Sequence, residues 1–332
     1  MDPLTHGLAG AAAAQLASGK DKIRAASFAG FSAALLPDIE FFIRIPSDPL
    51  FQLEIHRQFT HSLLFIPAGA LLATFLLWWF LRRFLSFREI YFFSLLGFAT
   101  HGLVDAATSY GTELLWPFSD IRFAWNLLPI VHPVMTVMMA LLTGIAFYYR
   151  NRLGGWIAMG WILLFLLAGY IQRERGLNAV ERLAAERNHA IQQVVVKPTI
   201  GNLILWRSTY IAGDTIHVDA VRSGIFTSPR VLEGGRSPLV VPERDFAEWK
   251  GSVLYNDILR FQRFSDGYLI RHPEKAHIIG DGRYSMLPTG LIPLWGIHPD
   301  TTQPGRHTDF QTFRDTSPEL REQFWNQLTG KP

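Results

Sequence analysis

Residues 153–175 read LGGWIAMGWILLFLLAGYIQRER, an apolar run that ends abruptly in charged residues. The apolar part, Leu153–Ile171, has 19 residues, and a helix needs about 20 to cross the hydrocarbon core of a bilayer. The run therefore predicts a membrane-spanning helix. The chain is apolar over long stretches before it and holds most of its acids and bases after it. We predict a transmembrane helical domain over residues 1–171 and a water-soluble part beyond.

Five further apolar segments precede this run. Three have the length of spans, and these are Leu63–Leu81, Ile90–Thr108 and Leu127–Tyr149. Two shorter Ala-rich stretches, Leu4–Ser18 and Ile23–Pro37, predict a helical hairpin, although the first can also be a buried helix of a soluble protein. Its small residues have the spacing that lets helices approach closely, and they are Gly7, Gly10, Ala11 and Ala14. The fold class predicted is an α-helical membrane bundle of about six membrane-inserted helices, followed by a small antiparallel β-rich soluble domain.

The basic residues of the short loops predict an orientation, because such residues collect on the cytoplasmic side. They occupy the first, third and fifth connections, as Lys20, Lys22, Arg24, Arg82, Arg83, Arg88, Arg150 and Arg152. If all six segments cross, these connections share the cytoplasmic side. The N-terminus and everything after Ile171 then face outside, so the C-terminal domain is expected outside the cytoplasm.

Composition excludes several classes of protein. The chain has no cysteine, which excludes disulfides, thiolate metal sites and a cysteine nucleophile. The net charge is only +3, and no Lys/Arg-rich block indicates a nucleic-acid partner. The absence of a G-x-S-x-G motif argues against a serine hydrolase.

Ionisable side chains stand at or near the ends of the apolar segments, where charge is costly and usually functional. They are His6, Asp38, Glu40, His56, Arg57, His61, His101, Asp105 and His132. Under the predicted orientation, every one lies at the outer end of its segment. The orientation was predicted from the loop charges alone, without these residues. Their location on the same side of the membrane is therefore an independent observation.

Their spacing predicts a metal site. His101 and Asp105 are four residues apart and share one helix face, and His6, Asp38 and His61 come from neighbouring helix ends. Nitrogen and oxygen ligands without sulfur suit Zn²⁺, Mn²⁺, Fe²⁺ or Mg²⁺, and several imidazoles favour Zn²⁺ or Mn²⁺. A carboxylate-rich set can hold one ion or two. A buried hydrogen-bonded pair or a proton relay is the alternative for His101 and Asp105.

Other polar residues are left outside this site. His56 and His132 are either further ligands or hydrogen-bonded interfacial side chains. Glu40 and Glu113 are interpreted as solvated loop acids.

Five ordered motifs resemble the YbcI/YdjM-like family of predicted membrane-bound, metal-dependent hydrolases. They are MDPLTHGLAGA at 1–11, LLPDIE at 35–40, RQFTHSLL at 57–64, HGLVDAATSYGTELLWPFSDIR at 101–122 and VHP at 131–133. The resemblance implies a bacterial inner-membrane protein with a metal site at His6, Asp38, His61, His101 and Asp105. It also makes Arg57 and the hydroxyls of Thr60 and Ser62 candidates for substrate binding. The family pattern favours Asp where this chain has His132.

The second half predicts a soluble domain. Residues 172–193 have a weak apolar stripe and predict an amphipathic connecting helix. From Val194 the pattern shifts toward a period of two, including DILRFQRFSDGYLIRH at 257–272, with the turns AGD, SDG and GDG. We expect an external β-rich domain over 194–300 and a polar tail over 301–332 with a short helix near Pro318–Leu328.

Two functional hypotheses follow. In the first, a divalent metal at the outer membrane face activates water to hydrolyse a lipid, a lipid-linked substrate or an amphiphilic phosphoester. Asp38 or Asp105 accepts the proton of this water, and Arg57 is a further catalytic candidate. In the second, the chain is a metal or proton transporter or a scaffold without catalytic activity. The gathering of polar groups on one side favours the enzyme. The sequence does not indicate an oligomeric state.

Overall fold

The computed structural model describes residues 1–331 and divides into two compact units. The first unit is helical and contains Met1–Ile43 and Ile55–Tyr170. The second contains Arg44–Glu54 together with the chain from Ile171 onward, and it holds all the β-strands. The chain is thus a helical N-terminal region followed by a small antiparallel β domain.

Seven α-helices lie in or begin in the first half of the chain. They are α1 (Pro3–Ala17), α2 (Ile23–Ala33), α3 (Phe51–Ile55), α4 (Ile66–Leu81), α5 (Phe87–Ala106), α6 (Pro133–Tyr149) and α7 (Leu153–Glu186). Two 3-10 helices, Pro37–Phe42 and Phe59–His61, lie between α2 and α4.

Helix α1 is the core of the first unit, and 11 of its 15 residues are buried. A Cβ atom on Gly10 would lie 2.3 Å from the carbonyl oxygen of Gly30 in α2, and one on Gly97 in α5 would lie 2.2 Å from the same oxygen. The three helices therefore cross at glycines, because any side chain there would overlap the neighbouring backbone. This confirms the close packing predicted from the small residues of the first segment.

The six predicted spans are not supported. Two helical segments, Ile23–Phe42 and Leu153–Glu186, are long and apolar enough to cross a membrane, and the bent pair Phe51–His61 with Ile66–Leu81 makes up to three. Helix α1 is short and buried inside the bundle, so it presents little surface to lipid. Helix α5 has 20 residues but carries charged residues at both ends.

Helix α7 runs unbroken for 34 residues and ends seven residues before the predicted limit at 193. It stops because Asn188 adopts the left-handed conformation, at φ 57°, which commonly terminates helices. The amide of His189 then donates to the carbonyl of Ala184 at 2.8 Å. Gln193 already belongs to the first strand.

The second unit contains two four-stranded antiparallel sheets, with strand orders β1-β2-β3-β4 and β5-β6-β7-β8. The strands are β1 (Gln193–Pro198), β2 (Leu205–Ala212), β3 (Thr215–Arg222), β4 (Arg230–Pro238), β5 (Leu269–His272), β6 (Lys275–Asp281), β7 (Trp295–His298) and β8 (Asp309–Thr312). The helices are α8 (Pro242–Asp245), α9 (Val253–Phe264) and α10 (Pro318–Thr329). Helix α10 covers Pro318–Thr329, the region where a short helix was predicted, and β8 extends the second sheet into residues predicted as a polar tail.

The strand predicted from the first part of DILRFQRFSDGYLIRH is wrong, because Val253–Phe264 is helical. Its alternation of apolar and polar residues is also compatible with a helix, and Leu254, Ile258 and Phe261 fall on one buried face. Ser252 caps the helix by accepting from the amide of Tyr255 at 3.1 Å. The β-pattern holds only from Leu269.

Arg260 of α9 holds the segment Arg44–Glu54 within the second unit. Its guanidinium contacts both carboxylate oxygens of Asp48 at 2.9–3.0 Å and both of Glu54 at 2.7 Å. It also donates to Asp257 at 2.9 Å. These paired contacts explain why a segment within the predicted 1–171 domain belongs to the second unit.

Candidate metal centre

Four side chains of the first unit place one ligand atom each around a common point. They are Asp38, His61, His101 and Asp105, and their ligand atoms all lie within 4.8 Å of one another. The Nε2 atoms of His61 and His101 are 3.0 Å apart. Oδ1 of Asp38 lies 3.7 Å from the first of these nitrogens and 3.5 Å from the second. Oδ2 of Asp105 lies 3.4 Å and 3.8 Å from them.

The outer nitrogens of the two imidazoles fix where their protons lie. Nδ1 of His101 is 2.6 Å from the carbonyl oxygen of Ala34, which can only accept, so Nδ1 carries the proton. Nδ1 of His61 is 3.1 Å from the carboxylate of Glu40, which likewise accepts. In the neutral rings both Nε2 atoms therefore present lone pairs toward each other and toward two carboxylate oxygens. Four electron-pair donors facing one point can hold a cation between them.

The distances fit a metal ion. Ligands 2.0–2.2 Å from a tetrahedral ion are separated from one another by about 3.3–3.6 Å, and the separations between these four side chains are 3.0–3.8 Å. Two imidazoles with two carboxylates suit Zn²⁺ or Mn²⁺. A metal site at these residues is therefore compatible with both the geometry and the donor atoms.

The local backbone brings the four ligands together. Asp38 lies in the 3-10 helix that follows α2, and His61 ends the 3-10 helix before α4. His101 and Asp105 lie on one face of α5, with Gly102 between them. A Cβ on Gly102 would lie 2.4 Å from the carbonyl oxygen of His61, so glycine is needed for the close approach of the His61 backbone to α5.

Glu40 is a buried partner of this group rather than the solvated acid predicted from the sequence. It has no exposed surface, it lies beside Nδ1 of His61, and it accepts hydrogen bonds from the Arg57 amide and the Thr60 hydroxyl. A carboxylate behind a histidine ligand fixes the ring orientation and raises its basicity. The sequence could have indicated this role, because Glu40 follows Asp38 by two residues and both belong to the same 3-10 helix.

His6 lies behind the group of four. Its Nε2 is 3.1 Å from Oδ1 of Asp105, the oxygen that faces away from His61 and His101. Its ring is stacked on His101, with centroids 3.7 Å apart and planes 12° apart. The amino group of Met1 also contacts Oδ1 of Asp105. His6 is thus placed to orient Asp105 and His101, and it offers no atom to the group itself.

Arg57 is buried and directed at Asp105. Its Nε lies 3.2 Å from Oδ2 of Asp105, and Nη1 donates to the Thr108 hydroxyl at 3.0 Å. Its backbone adopts φ 65°, an uncommon conformation for this residue type, and its amide is held by Glu40. The guanidinium therefore balances the charge of Asp105 and fixes its position.

The remaining polar residues occupy the edge of this region. His56 has its Nδ1 3.6 Å from Glu40 and a half-buried side chain. His132 caps α6, because its Nδ1 accepts from the amide of Met135 at 3.3 Å. The Ser62 hydroxyl donates to the carbonyl of Phe59 at 2.9 Å. Glu113 is buried and pairs with Arg122 at 3.0 Å, so its prediction as a solvated acid is wrong.

A second group of possible ligands lies in the second unit and was not predicted. It consists of Asp48, Asp257 and His307. The guanidinium of Arg260 already contacts both of its carboxylates at 2.9–3.0 Å. Asp257 also accepts from His307 and from the amide of Thr308. We interpret this group as an ion-pair network that needs no metal.

Comparison with known proteins places the first unit in a family. The model of the YdjM inner membrane protein family matches residues 1–176. The chain is also 26% identical over 225 residues to "Uncharacterized protein YfhP" of Bacillus subtilis (strain 168), a match that covers 65% of this chain and 66% of that protein. No solved structure matches the chain. The family match includes all four residues of the candidate centre and confirms the resemblance found in the motifs. Because it covers more than half of the sequence, the chain belongs to the YdjM inner membrane protein family.

Proposed function

We propose that this protein is a membrane-bound, metal-dependent hydrolase whose centre is Asp38, His61, His101 and Asp105. The observation that carries the proposal is the approach of two imidazole lone pairs to 3.0 Å, with two carboxylates beside them. A divalent cation held there would lower the pKa of a bound water toward neutrality and polarise the scissile bond.

The four ligands differ in exposure, which assigns them different roles. His61, His101 and Asp105 are almost completely buried and are held by Glu40, the Ala34 carbonyl and Arg57, so they retain the ion. The side chain of Asp38 is 32% exposed. It therefore faces the open side of the centre and is placed to accept the proton of an attacking water. Catalytic zinc sites keep one coordination position for water, and Asp38, as the exposed member of the four, is the ligand that a water molecule could replace.

The surroundings of Asp38 support an amphiphilic substrate. Ile39 and Phe42 share its 3-10 helix and are 54% and 79% exposed. Exposed apolar side chains beside a polar centre suit a molecule with an acyl chain and a polar head, such as a lipid, a lipid-linked sugar or an amphiphilic phosphoester. Membership of an inner membrane family is consistent with this class.

The buried polar residues elsewhere in the bundle support an enzyme over an ion transporter. Gln15 donates to the Ser27 hydroxyl at 3.0 Å and to the carbonyl of Thr143 at 2.9 Å. These groups are uncharged and bonded to one another. A transporter would need ionisable groups along its path, so metal flux into proteoliposomes should match that of empty vesicles.

We also propose that the centre faces the outside of the cell. Lys22 pairs with Glu89, and Arg24 donates to the carbonyls of Phe147 and Tyr148, so the basic loop residues contact the helix ends remote from the centre. The rule for loop charges assigns those ends to the cytoplasm. Because the chain lacks cysteine, a single Asp21→Cys variant in the loop that carries Lys20 and Lys22 can be treated with an impermeant maleimide, and we expect labelling only after lysis. Labelling on intact cells would show that the centre faces the cytoplasm.

Elemental analysis of protein purified in nanodiscs tests the metal centre. We expect about one equivalent of a divalent transition metal per chain, and its loss in His61→Ala and in His101→Ala. The matched control is His132→Asn, which removes an imidazole at a helix cap and should retain the metal. Retention of metal by both alanine variants, with folding intact, would refute the proposed centre.

Hydrolysis is tested with phosphoesters that share a head group and differ in chain length. We expect the long-chain ester in mixed micelles to be cleaved and the short soluble ester to be cleaved poorly. Asp38→Asn should abolish turnover while retaining most of the metal, because three buried ligands remain. If the protein binds metal but hydrolyses no phosphoester, acyl ester or glycosidic amphiphile, the hydrolase proposal is wrong and the protein is a metal-binding membrane protein.

A further inference from the structure

Two loops at one end of the first sheet expose large apolar side chains. The β1–β2 loop carries Ile200, which is 65% exposed, and the β3–β4 loop carries Ile225 and Phe226, which are 72% and 98% exposed. Ile204 in the first loop is also exposed. Between Gln172 and Lys331, only Ile292 and Trp325 are other large hydrophobic residues with comparable exposure. This concentration of apolar surface in two adjacent loops indicates a binding surface.

Both loops are fixed to the same turn of α7. The side-chain amide of Gln172 donates to the carbonyl of Leu203 in the first loop at 3.2 Å and to that of Ser223 at 2.8 Å. Arg175 donates to the carbonyls of Gly224 and Ile225 at 2.8 Å and 3.3 Å. Its second terminal nitrogen contacts the carbonyl of Thr227. The exposed apolar tips are therefore held close to residues 172–175.

This turn of α7 directly follows the apolar part of a candidate membrane span. Helix α7 is a candidate span, and its apolar run ends at Ile171. Gln172 is the next residue along an unbroken helix, about 1.5 Å further along the axis. The loops that Gln172 and Arg175 hold must then lie at the level of the lipid head groups, whichever side of the membrane this is.

The charge of this region complements anionic lipid. Arg173, Arg175 and Arg182 follow the apolar run on α7, together with Glu174 and Glu181, and Arg173 pairs with Glu174 at 3.1 Å. A cleft of about 400 Å³ lies between Arg175, Arg182 and the loop residues 225–229. Basic side chains just beyond a span attract anionic head groups, and an apolar tip beside them can enter the acyl boundary as interfacial anchors do.

We propose that the loops 200–204 and 223–229 form a membrane anchor of the second unit. In it, Ile225 and Phe226 insert into the interface and Arg182 binds an anionic head group in the adjacent cleft. The occupant is the bilayer that α7 itself crosses. This anchor is independent of the metal centre and of its proposed activity.

Site-directed spin labelling tests the anchor in the full-length protein, which has no cysteine to remove. The single variants Phe226→Cys and Ile225→Cys each carry a nitroxide label. They are placed in nanodiscs that contain phosphatidylglycerol as the anionic lipid. The matched control is Glu243→Cys in α8. Residue 243 lies far from the anchor, because its neighbour Arg244 donates a hydrogen bond to Asp214 in the β2–β3 turn. This turn is at the opposite end of β2 from the anchor loops, about 23 Å away along the strand.

We expect the labels at 225 and 226 to collide several-fold more often with oxygen than with a water-soluble nickel chelate, and the label at 243 to show the opposite preference. Equal access of the nickel chelate to 226 and 243 would refute insertion. Spin–spin broadening at 226 that persists in detergent would identify a second copy of the chain as the occupant and overturn the proposal. Replacing the anionic lipid by phosphatidylcholine, or Arg182 by Gln, should reduce the oxygen preference at 226. An unchanged preference in both would refute head-group binding by Arg182.

Discussion

Replacing Glu40 by glutamine should weaken metal binding about tenfold without removing any ligand. Glu40 lies 3.1 Å from Nδ1 of His61, on the side of the ring opposite the metal centre. Its negative charge raises the basicity of Nε2 and holds the ring in the tautomer that presents a lone pair to the ion. Glutamine keeps the shape and one oxygen but removes the charge.

The magnitude follows from the contacts of Glu40. Loss of such a partner to a histidine ligand typically reduces metal affinity about 10–100-fold, or about 1.4–2.8 kcal/mol. Glu40→Gln should lie near the lower limit, because the amide oxygen can still accept from His61. Glu40→Ala should lie near the upper limit. Alanine also frees the Arg57 amide and the Thr60 hydroxyl, which both donate to the carboxylate.

The assay is competition for the metal between the nanodisc-bound protein and a fluorescent chelator of known affinity. Glu89→Gln is the matched control, because Glu89 pairs with Lys22 and caps α5 at the opposite end of that helix from the centre. Its metal affinity should equal that of the wild type. If Glu40→Gln binds the metal within twofold of the wild type, Glu40 does not support His61 and the assigned tautomer is wrong.

Three further predictions follow from particular contacts. Gly102→Ala should reduce metal affinity about tenfold or more, because the new Cβ would lie 2.4 Å from the His61 carbonyl oxygen and push His61 away from α5. Unchanged affinity in the same chelator assay would show that the backbone can shift without displacing His61. Lys197 is buried and its Nζ has no hydrogen-bond partner, and burial lowers its pKa well below the ordinary value. The unfolded chain therefore binds more protons, and the free energy of unfolding should rise with pH by up to about 1.4 kcal/mol per unit until the unfolded lysine loses its proton near pH 10.4. Lys197→Met should reduce this slope in urea titrations at pH 7, 8 and 9, and an unchanged slope would mean that the amine stays charged. Arg260→Gln should release the segment Arg44–Glu54, which limited trypsin digestion would detect as faster cleavage after Arg44; equal cleavage rates would mean that other contacts hold the segment.

Hydropathy could not distinguish the membrane-spanning helices from apolar helices that are buried inside the bundle. Apolar length indicates removal from water but does not distinguish lipid from protein as the surroundings. Helix α1 is apolar because it is enclosed by other helices, with Gly10 against Gly30 of α2, and not because it meets lipid. This is the physical reason that six apolar segments gave only two or three candidate spans.

The sequence alone determined the division between an apolar and a charged half, the end of the apolar run at Ile171 and the family, because these depend on composition and on ordered local motifs. It also placed Asp38, His61, His101 and Asp105 among the candidates, since ionisable residues stand out in apolar segments. Only the tertiary structure separated the four residues whose ligand atoms converge from His6 and Glu40, which have the same chemistry. That separation depends on the direction of each side chain across 3-10 turns and helix crossings, and on which nitrogen of each ring faces a carbonyl or a carboxylate. Such directions arise from contacts between residues far apart in the chain, so no local pattern encodes them.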